Sequence, residues 1–180
     1  PAVARVILAA FDDLAVAGNA VAAIIGAGII PAGLEMMDSP AILAVEDFVH
    51  AGYPRDAAAL LLCELDGTES EVEAGIREVT GILELQGATE IRVATDEAER
   101  QRFWSGRKNA FPAVGRISPD YYCIDGTIPK KRLGEVLTGI SKLSNEYDLR
   151  VANVFHAGDG NLHPLILYDG SQPGAFERTE

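Results

Sequence analysis

The stretches VARVILAAF, at residues 3–11, and AALLLCEL, at residues 58–65, begin two matching parts of the chain. Short, continuous apolar runs of this kind are typical of strands with both sides partly covered. An acidic residue follows each run, Asp12 after the first and Asp66 after the second. The repeated pattern indicates that the chain contains two copies of one folding unit.

A helix and a second strand are predicted after each of these runs. Asp12–Asp13 can cap a helix that continues to about Ile25 and ends at glycines. Thr68 and Glu71 form a capping box at the start of an amphipathic helix, which Gly87 ends. The second strands are predicted at residues 33–37 and 89–95.

Two such βαβ-like units predict an α+β fold, a ferredoxin-like duplicated split βαβ with a mainly antiparallel sheet and helices on one face. Between the units, Ser39 as N-cap and Pro40 at the first helical position predict another helix. Asp96 and Glu99 have capping-box spacing for a helix to about Arg107. The remaining elements are a loop at 111–120, a strand at 121–125, a helix at 129–147, and strands at 151–156 and 163–168. A single domain is predicted.

The composition excludes several classes of protein. Of the 180 residues, 48% are hydrophobic and 23% charged, the balance of a soluble globular protein. The formal net charge is −12, and no cluster of Lys and Arg is available to displace counterions from phosphates, which argues against nucleic-acid binding. The two cysteines are far apart and fit a reducing compartment. No apolar stretch is long enough to suggest a transmembrane segment.

The stretch VFHAGDGNLHPLIL, at residues 154–167, contains two of the three histidines of the chain. His156 and His163 would lie on opposite faces of a straight strand, but glycine and Asp-Gly favour a tight turn between them. A hairpin would bring both imidazoles to one point, where they supply two ligands of a metal site that needs a further ligand, such as a carboxylate, from elsewhere. The alternative is a hairpin whose Asp159 bonds its own backbone. The glycines would also allow close approach of a flat ligand or a phosphate.

The motif HAGDGNLH, at residues 156–163, resembles the signature of the C-terminal domain of FAD-linked oxidases, flavoenzymes of the vanillyl-alcohol-oxidase type. The stretches FWSGRKNAFPAVGRISPDYYCIDGTIPKKRL, at 103–133, and VEDFVHAGYP, at 45–54, resemble the same family. The resemblance implies that residues 1–180 are one cap domain, a fragment that lacks the N-terminal FAD-binding domain and the C-terminal end. The catalytic base is then expected beyond Glu180, and the fragment alone is expected to be inactive.

The resemblance also implies a function and site residues. The whole protein would be an FAD-dependent 2-hydroxy-acid oxidoreductase, with glycolate as the expected substrate. Arg107 would bind the substrate carboxylate, although a cation near a helix C-terminus is favoured without any site. His156 and His163 would hold a divalent metal such as Zn or Mn, or lie over the flavin. The residues expected close to the isoalloxazine ring are Gly158, Gly160 and Asn161.

The resemblance further implies iron–sulfur partner subunits and a cytoplasmic location, at the inner face of the membrane. A function of a different class stays open on the residues alone. The duplicated βαβ pattern also fits a stand-alone ferredoxin-like module that binds a metal or a small ligand through the histidine pair.

Overall fold

The computed structural model describes residues 2–180, and these form an α+β fold built on an antiparallel sheet. Strands β1 to β9 of this part of the chain are Val3–Phe11, Gly33–Asp38, Ala59–Gly67, Glu90–Val93, Asp120–Cys123, Gly126–Thr127, Arg150–Phe155, Asn161–Leu162 and Pro164–Tyr168. Helices α1 to α7 are Leu14–Gly26, Ser39–Val49, Glu69–Leu85, Glu97–Lys108, Ala110–Val114, Leu133–Glu146 and Ala175–Thr179. Short 3₁₀ helices lie at Lys130–Arg132 and Ala157–Asp159.

The predicted duplication is confirmed in the order of the strands. The units β1-α1-β2 and β3-α3-β4 interleave as β4-β1-β3-β2, with every neighbouring pair antiparallel. The predicted caps are present, since the Asp13 carboxylate accepts from the backbone N–H of Val16 at 2.9 Å, and Thr68 with Glu71 forms a capping box. Strands β7, β9 and β5 extend the sheet beyond β2 to seven strands.

Helices cover both faces of the sheet, which corrects the prediction that they lie on one face. The two unit helices α1 and α3 do share a face, together with α6. Helices α2, α4 and α5 pack on the other face. Alternate residues of β1 show the physical reason, because Val6 and Leu8 enter one apolar core while Ile7 and Phe11 enter the other.

Two local details differ from the sequence-based expectations. The N-cap of α2 is Asp38 instead of Ser39, because the last residue of β2 turns its carboxylate to accept from the Ala41 backbone N–H at 3.2 Å. The stretch predicted as a loop at 111–120 begins with helix α5. Its Pro112 lies in the first helical turn, where proline costs no helical hydrogen bond.

Helix α6 lies close against α1 through two glycines. A Cβ on Gly18 would come within 2.8 Å of the Gly134 backbone nitrogen, and a Cβ on Gly134 within 2.8 Å of the Ala15 carbonyl oxygen. This approach places the segment before α6, residues 126–132, beneath the loop that carries the histidines. The main chain of that segment contacts the loop, since the Ile128 backbone N–H donates to the Gly160 carbonyl at 2.9 Å.

Candidate functional site

The loop after β7 makes the tight turn that its glycines predict. The chain leaves β7 at Phe155, passes through the 3₁₀ turn and returns through Gly160, whose φ of +71° is favourable for glycine. His156 and Asn161 pair across the turn, with N–H to carbonyl distances of 3.1 and 3.2 Å. The chain then forms β8, which pairs with β6, before β9 returns along β7.

The turn brings the two imidazole rings together. The ring centroids of His156 and His163 are 5.3 Å apart, with the ring planes nearly perpendicular. The edge of Phe111, on α5, approaches the ring of His163 at a centroid distance of 6.3 Å. The His156 side chain is 45% exposed, whereas His163 is largely buried. The two rings therefore contact each other, and solvent reaches mainly the His156 ring.

A carboxylate that the sequence analysis did not single out joins this pair. Glu35 lies on β2, and its Oε1 is 2.8 Å from Nδ1 of His156. Its Oε2 accepts from Nε of Arg107, also at 2.8 Å. The Glu35 side chain is 13% exposed, so one largely buried carboxylate bridges two of the predicted site residues. The sequence feature that could have identified Glu35 is that it is the one acidic residue in an otherwise apolar predicted strand, GLEMM at 33–37.

Arg107 lies near the C-terminal end of helix α4, which places its side chain in this cluster. Asp96 caps the helix, accepting from the Glu99 backbone N–H at 2.8 Å, and Glu99 in turn accepts from the Thr95 backbone. Arg107 is 12% exposed. Its Nε is bonded to Glu35, and its two terminal nitrogens make no hydrogen bond with residues 2–180. The outer edge of the guanidinium is therefore available for a carboxylate ligand.

A second ion pair lies beside the first on the same face of the sheet. Glu64, on β3, accepts from Nε and a terminal nitrogen of Arg100, both at 2.8 Å. Its Oε2 also accepts from the Trp104 indole N–H at 2.5 Å. Arg100, Trp104 and Arg107 are spaced four and three residues apart, so they line one side of α4. The two glutamates fix that side of the helix against the sheet.

Tyr53 fixes the turn of α4 that carries Arg107. Its hydroxyl donates to the Phe103 carbonyl, inside the helix, and a Cβ on Gly106 would collide with its ring. Burial raises the pKa of Tyr53 well above its ordinary value, and a backbone hydrogen bond from Arg107 acts in the opposite direction. Tyr53 therefore stays protonated and holds this turn.

The glycines expected near a flavin are packed against the chain itself. A Cβ on Gly160 would collide with the Ile128 carbonyl, and one on Gly158 would come within 3.1 Å of the Leu34 Cβ. These contacts explain both glycines without a ligand. The Asn161 Oδ1 is buried and has no hydrogen-bond partner among residues 2–180. Such an orphaned acceptor fits a site that a donor from a bound group completes.

A cavity of about 540 Å³ opens beside this cluster. The chemically distinctive residues on its wall are Glu35, Lys130, His156 and Asp159, and the apolar part of the wall comes from residues 28–34. Neither Arg107 nor His163 lines this cavity, whose volume is of the size that a small organic ligand occupies.

The histidine pair does not by itself form a metal site within the described chain. No group of three His, Cys, Asp or Glu residues within residues 2–180 is arranged to hold a metal ion. Both imidazoles nevertheless turn Nδ1 toward a carboxylate, His156 toward Glu35 at 2.8 Å and His163 toward Asp125 at 3.6 Å. Carboxylates in this position are common behind metal-binding histidines, whose Nε2 then faces the metal. The donor set fits two ligands and requires at least one more.

Within residues 2–180, no helix has the length and apolar composition needed to cross a bilayer. The fold is an α+β domain in which an arginine, a carboxylate and two histidines lie together beside the sheet. Residues 1–180 match the family model described as FAD linked oxidases, C-terminal domain, and the chain belongs to that family. The resemblance stated from the sequence is confirmed.

Relatives in two bacteria match the whole chain. It is 67% identical over 180 residues to the glycolate oxidase subunit GlcD of Escherichia coli K12, and 33% identical to the subunit of the same name in Bacillus subtilis 168. The chain spans 36% and 38% of the length of these relatives. A solved structure of p-cresol methylhydroxylase with bound substrate superposes with a TM-score of 0.69 at 15% identity, covering 98% of this chain and 41% of that one. That similarity supports the fold alone.

Proposed function

We propose that this chain is the substrate-binding cap domain of an FAD-dependent 2-hydroxy-acid oxidoreductase that oxidises glycolate to glyoxylate. In this proposal residues 1–180 are part of a longer flavoenzyme. The observation that carries it is the largely buried Arg107, held by Glu35 beside His156, in a chain 67% identical to a glycolate oxidase subunit. The same identity favours this function over a stand-alone metal-binding module.

Arg107 would bind the carboxylate of the substrate. Its terminal nitrogens form a planar fork that matches two carboxylate oxygens, and this pairing fixes the orientation of the acid as well as its position. A small 2-hydroxy acid bound in this way extends its hydroxyl-bearing carbon away from α4 toward the histidines. Orientation of this kind lowers the barrier because the reacting atoms no longer have to find their geometry by chance.

His156 and His163 would act on the hydroxyl end of the substrate. Bound FAD would accept the hydride from the hydroxyl-bearing carbon, and a base expected beyond Glu180 would take the hydroxyl proton. Divalent zinc or manganese, if held by Nε2 of both histidines and a third ligand from outside residues 1–180, would lower the pKa of the substrate hydroxyl. Asn161, with its unpartnered Oδ1, and the backbone of Gly158 and Gly160 would form the wall beside the flavin ring.

The proposal extends to partners and location. The E. coli relative is named as a subunit, which supports an assembly with other subunits. In this proposal, iron–sulfur subunits of the assembly would take the electrons. We place this assembly in the cytoplasm, at the inner face of the membrane. Co-purification of the tagged full-length protein with iron-containing subunits tests this part of the proposal, and recovery as an iron-free single chain would contradict it.

The test of the proposed function uses the protein expressed from its complete reading frame. The purified protein should carry flavin absorbance and reduce an artificial acceptor with glycolate. Arg107→Gln should lower kcat/KM for glycolate by about 100-fold, the effect of losing a charge-assisted bidentate contact. The same change should leave any rate measured with 1,2-ethanediol unaffected, since this alcohol has no carboxylate.

Arg102→Gln is the matched control, because Arg102 lies on the same helix with its side chain 55% exposed. It should leave kcat/KM within about threefold of the unmodified enzyme, as expected of a surface substitution. A full-length protein without flavin would refute the proposal. Equal losses for glycolate and 1,2-ethanediol in Arg107→Gln would refute the assignment of Arg107.

A further inference from the structure

We propose that Glu35 is the positioning residue of this site, a single carboxylate that fixes the orientation of both Arg107 and His156. The catalytic consequence rests on the proposed function, whereas the orientation itself does not. Glu35 lies on the wall of the cavity, but both of its oxygens are occupied by Arg107 and His156. It would act through the two side chains that its oxygens hold.

The location of Glu35 follows from the pairing of two strands. Strands β2 and β7 pair at Met36 with Phe155 and at Met37 with Val154. The next position in this antiparallel register places Glu35 beside His156. Its neighbours along β2 turn to the opposite face, so the glutamate points to the face on which α4 lies. The two strands and the helix therefore meet at this carboxylate.

Each oxygen of Glu35 has a separate partner. Oε1 lies 2.8 Å from the His156 Nδ1, and Oε2 accepts from the Arg107 Nε at 2.8 Å. A carboxylate paired with a guanidinium accepts hydrogen bonds and donates none, so Nδ1 of His156 carries the proton. Nε2 then presents a lone pair to the site, where it can accept from the substrate hydroxyl or bind a metal ion.

Glu64 forms the same kind of ion pair but leaves no free edge on its arginine. It lies on the neighbouring strand and on the same face, and it also binds an arginine of α4. Glu64 takes both Nε and a terminal nitrogen of Arg100, which consumes that guanidinium. Glu35 takes Arg107 through Nε alone and leaves the terminal nitrogens of Arg107 without a partner in residues 2–180. The difference separates a structural ion pair from one that presents a ligand-binding edge.

Glu35→Gln separates the two functions of the carboxylate. The glutamine oxygen can still accept from the Arg107 Nε, but its amide donates to Nδ1 of His156. The imidazole must then carry its proton on Nε2, and the lone pair turns away from the site. Glu35→Leu removes both contacts while keeping a side chain of similar size. Glu64→Gln makes the same chemical change in the neighbouring ion pair and serves as the control.

The experiment measures the histidine tautomer and steady-state kinetics in the full-length holoenzyme at one fixed pH. Nitrogen-15 NMR of histidine-labelled protein, with the signal assigned by its loss in His156→Gln, should show the proton on Nδ1 in the unmodified enzyme and in Glu64→Gln. The proton should be on Nε2 in Glu35→Gln. An Nε2 proton in the unmodified enzyme, or an unchanged tautomer in Glu35→Gln, would overturn the proposal.

The steady-state kinetics should show different effects of the two Glu35 variants on kcat and on KM. In Glu35→Gln, kcat for glycolate should fall by about 10- to 100-fold, the usual cost of losing a partner behind a site histidine, with KM within about threefold. Glu35→Leu should raise KM by at least about 10-fold as well, because Arg107 is no longer held. Equal kinetic losses in Glu35→Gln and Glu64→Gln would indicate a purely structural role and refute the inference. If the unmodified enzyme oxidises no 2-hydroxy acid, the proposed function fails, and the tautomer measurement still decides the role of Glu35.

Discussion

Asp38 is predicted to make the chain less stable at neutral pH than its amide counterpart, Asp38→Asn. The residue is 5% exposed. One carboxylate oxygen caps α2 through the Ala41 backbone N–H, and the other accepts from the Asn153 side chain at 2.7 Å. Burial raises the pKa of Asp38 from 3.8 to about 6, against the opposing effect of these hydrogen bonds. Keeping this carboxylate ionised inside the fold therefore costs free energy.

The size and sign of the effect follow from proton linkage. A rise of about two pKa units corresponds to about 3 kcal/mol. Between about pH 4 and pH 6 the folded state holds a proton that the unfolded state has released, so the contribution of Asp38 to stability falls as the pH rises through this window. Above about pH 6 the full cost is present and constant.

Asp38→Asn removes this cost and keeps the cap, because asparagine is nearly as good an N-cap as aspartate. The new amide faces the Asn153 Nδ2, which now donates to Asp38. When the Asn153 side-chain amide turns over, its Oδ1, buried and without a partner among residues 2–180, accepts from the new amide. Loss of the negative charge at the start of α2 reduces this gain in stability by up to about 1 kcal/mol, because that charge interacts favourably with the helix dipole. The variant should therefore be more stable than the unmodified chain by about 2 kcal/mol at pH 7.

Urea unfolding of both proteins at pH values from 4 to 8 measures this difference. The advantage of the variant should grow from pH 4 to about pH 6 and stay constant above it. Asp13→Asn, the same change at the exposed N-cap of α1, should alter stability by less than about 1 kcal/mol at every pH. A difference for Asp38→Asn that does not vary with pH, or a less stable variant at pH 7, would show that the reasoning is wrong.

Two further predictions concern the packing that places the site helices. Gly106→Ala should lower the free energy of unfolding by about 3 kcal/mol, because its Cβ would collide with the ring of Tyr53. Gly81→Ala in α3 is the control. Its Cβ meets open space, so it should raise the free energy of unfolding by about 1 kcal/mol. Urea unfolding measures both variants, and equal free energies of unfolding for the two would contradict the close packing of Gly106 against Tyr53. Gly18→Ala should cost about 2 kcal/mol, because its Cβ would lie 2.8 Å from the Gly134 backbone. An unchanged melting temperature would mean that α1 and α6 can separate freely.

The sequence predicts the parts of this fold that depend on neighbouring residues. The Asp13 cap and the Thr68–Glu71 capping box are local signals, and both helices begin where these signals indicate. The second covered face was not predicted, because a continuous apolar strand shows that both sides are buried without showing what buries them. Helix α5 was predicted as a loop because of its proline, but Pro112 is compatible with a first helical turn as well as with a loop.

The candidate site also combines local and long-range features. Glu35 was not predicted as a site residue because its position depends on a long-range feature. The glycines at 158 and 160 predict a turn, and the turn alone brings His156 and His163 together. Glu35 is 121 residues from His156 in sequence, and the two strands pair directly at only two positions. A shift of one residue in that pairing would turn the carboxylate to the other face of the sheet. The acid at the centre of the site is therefore set by a long-range register that no local pattern encodes, and substitutions that loosen the β2–β7 pairing should disorder Arg107 and His156 together.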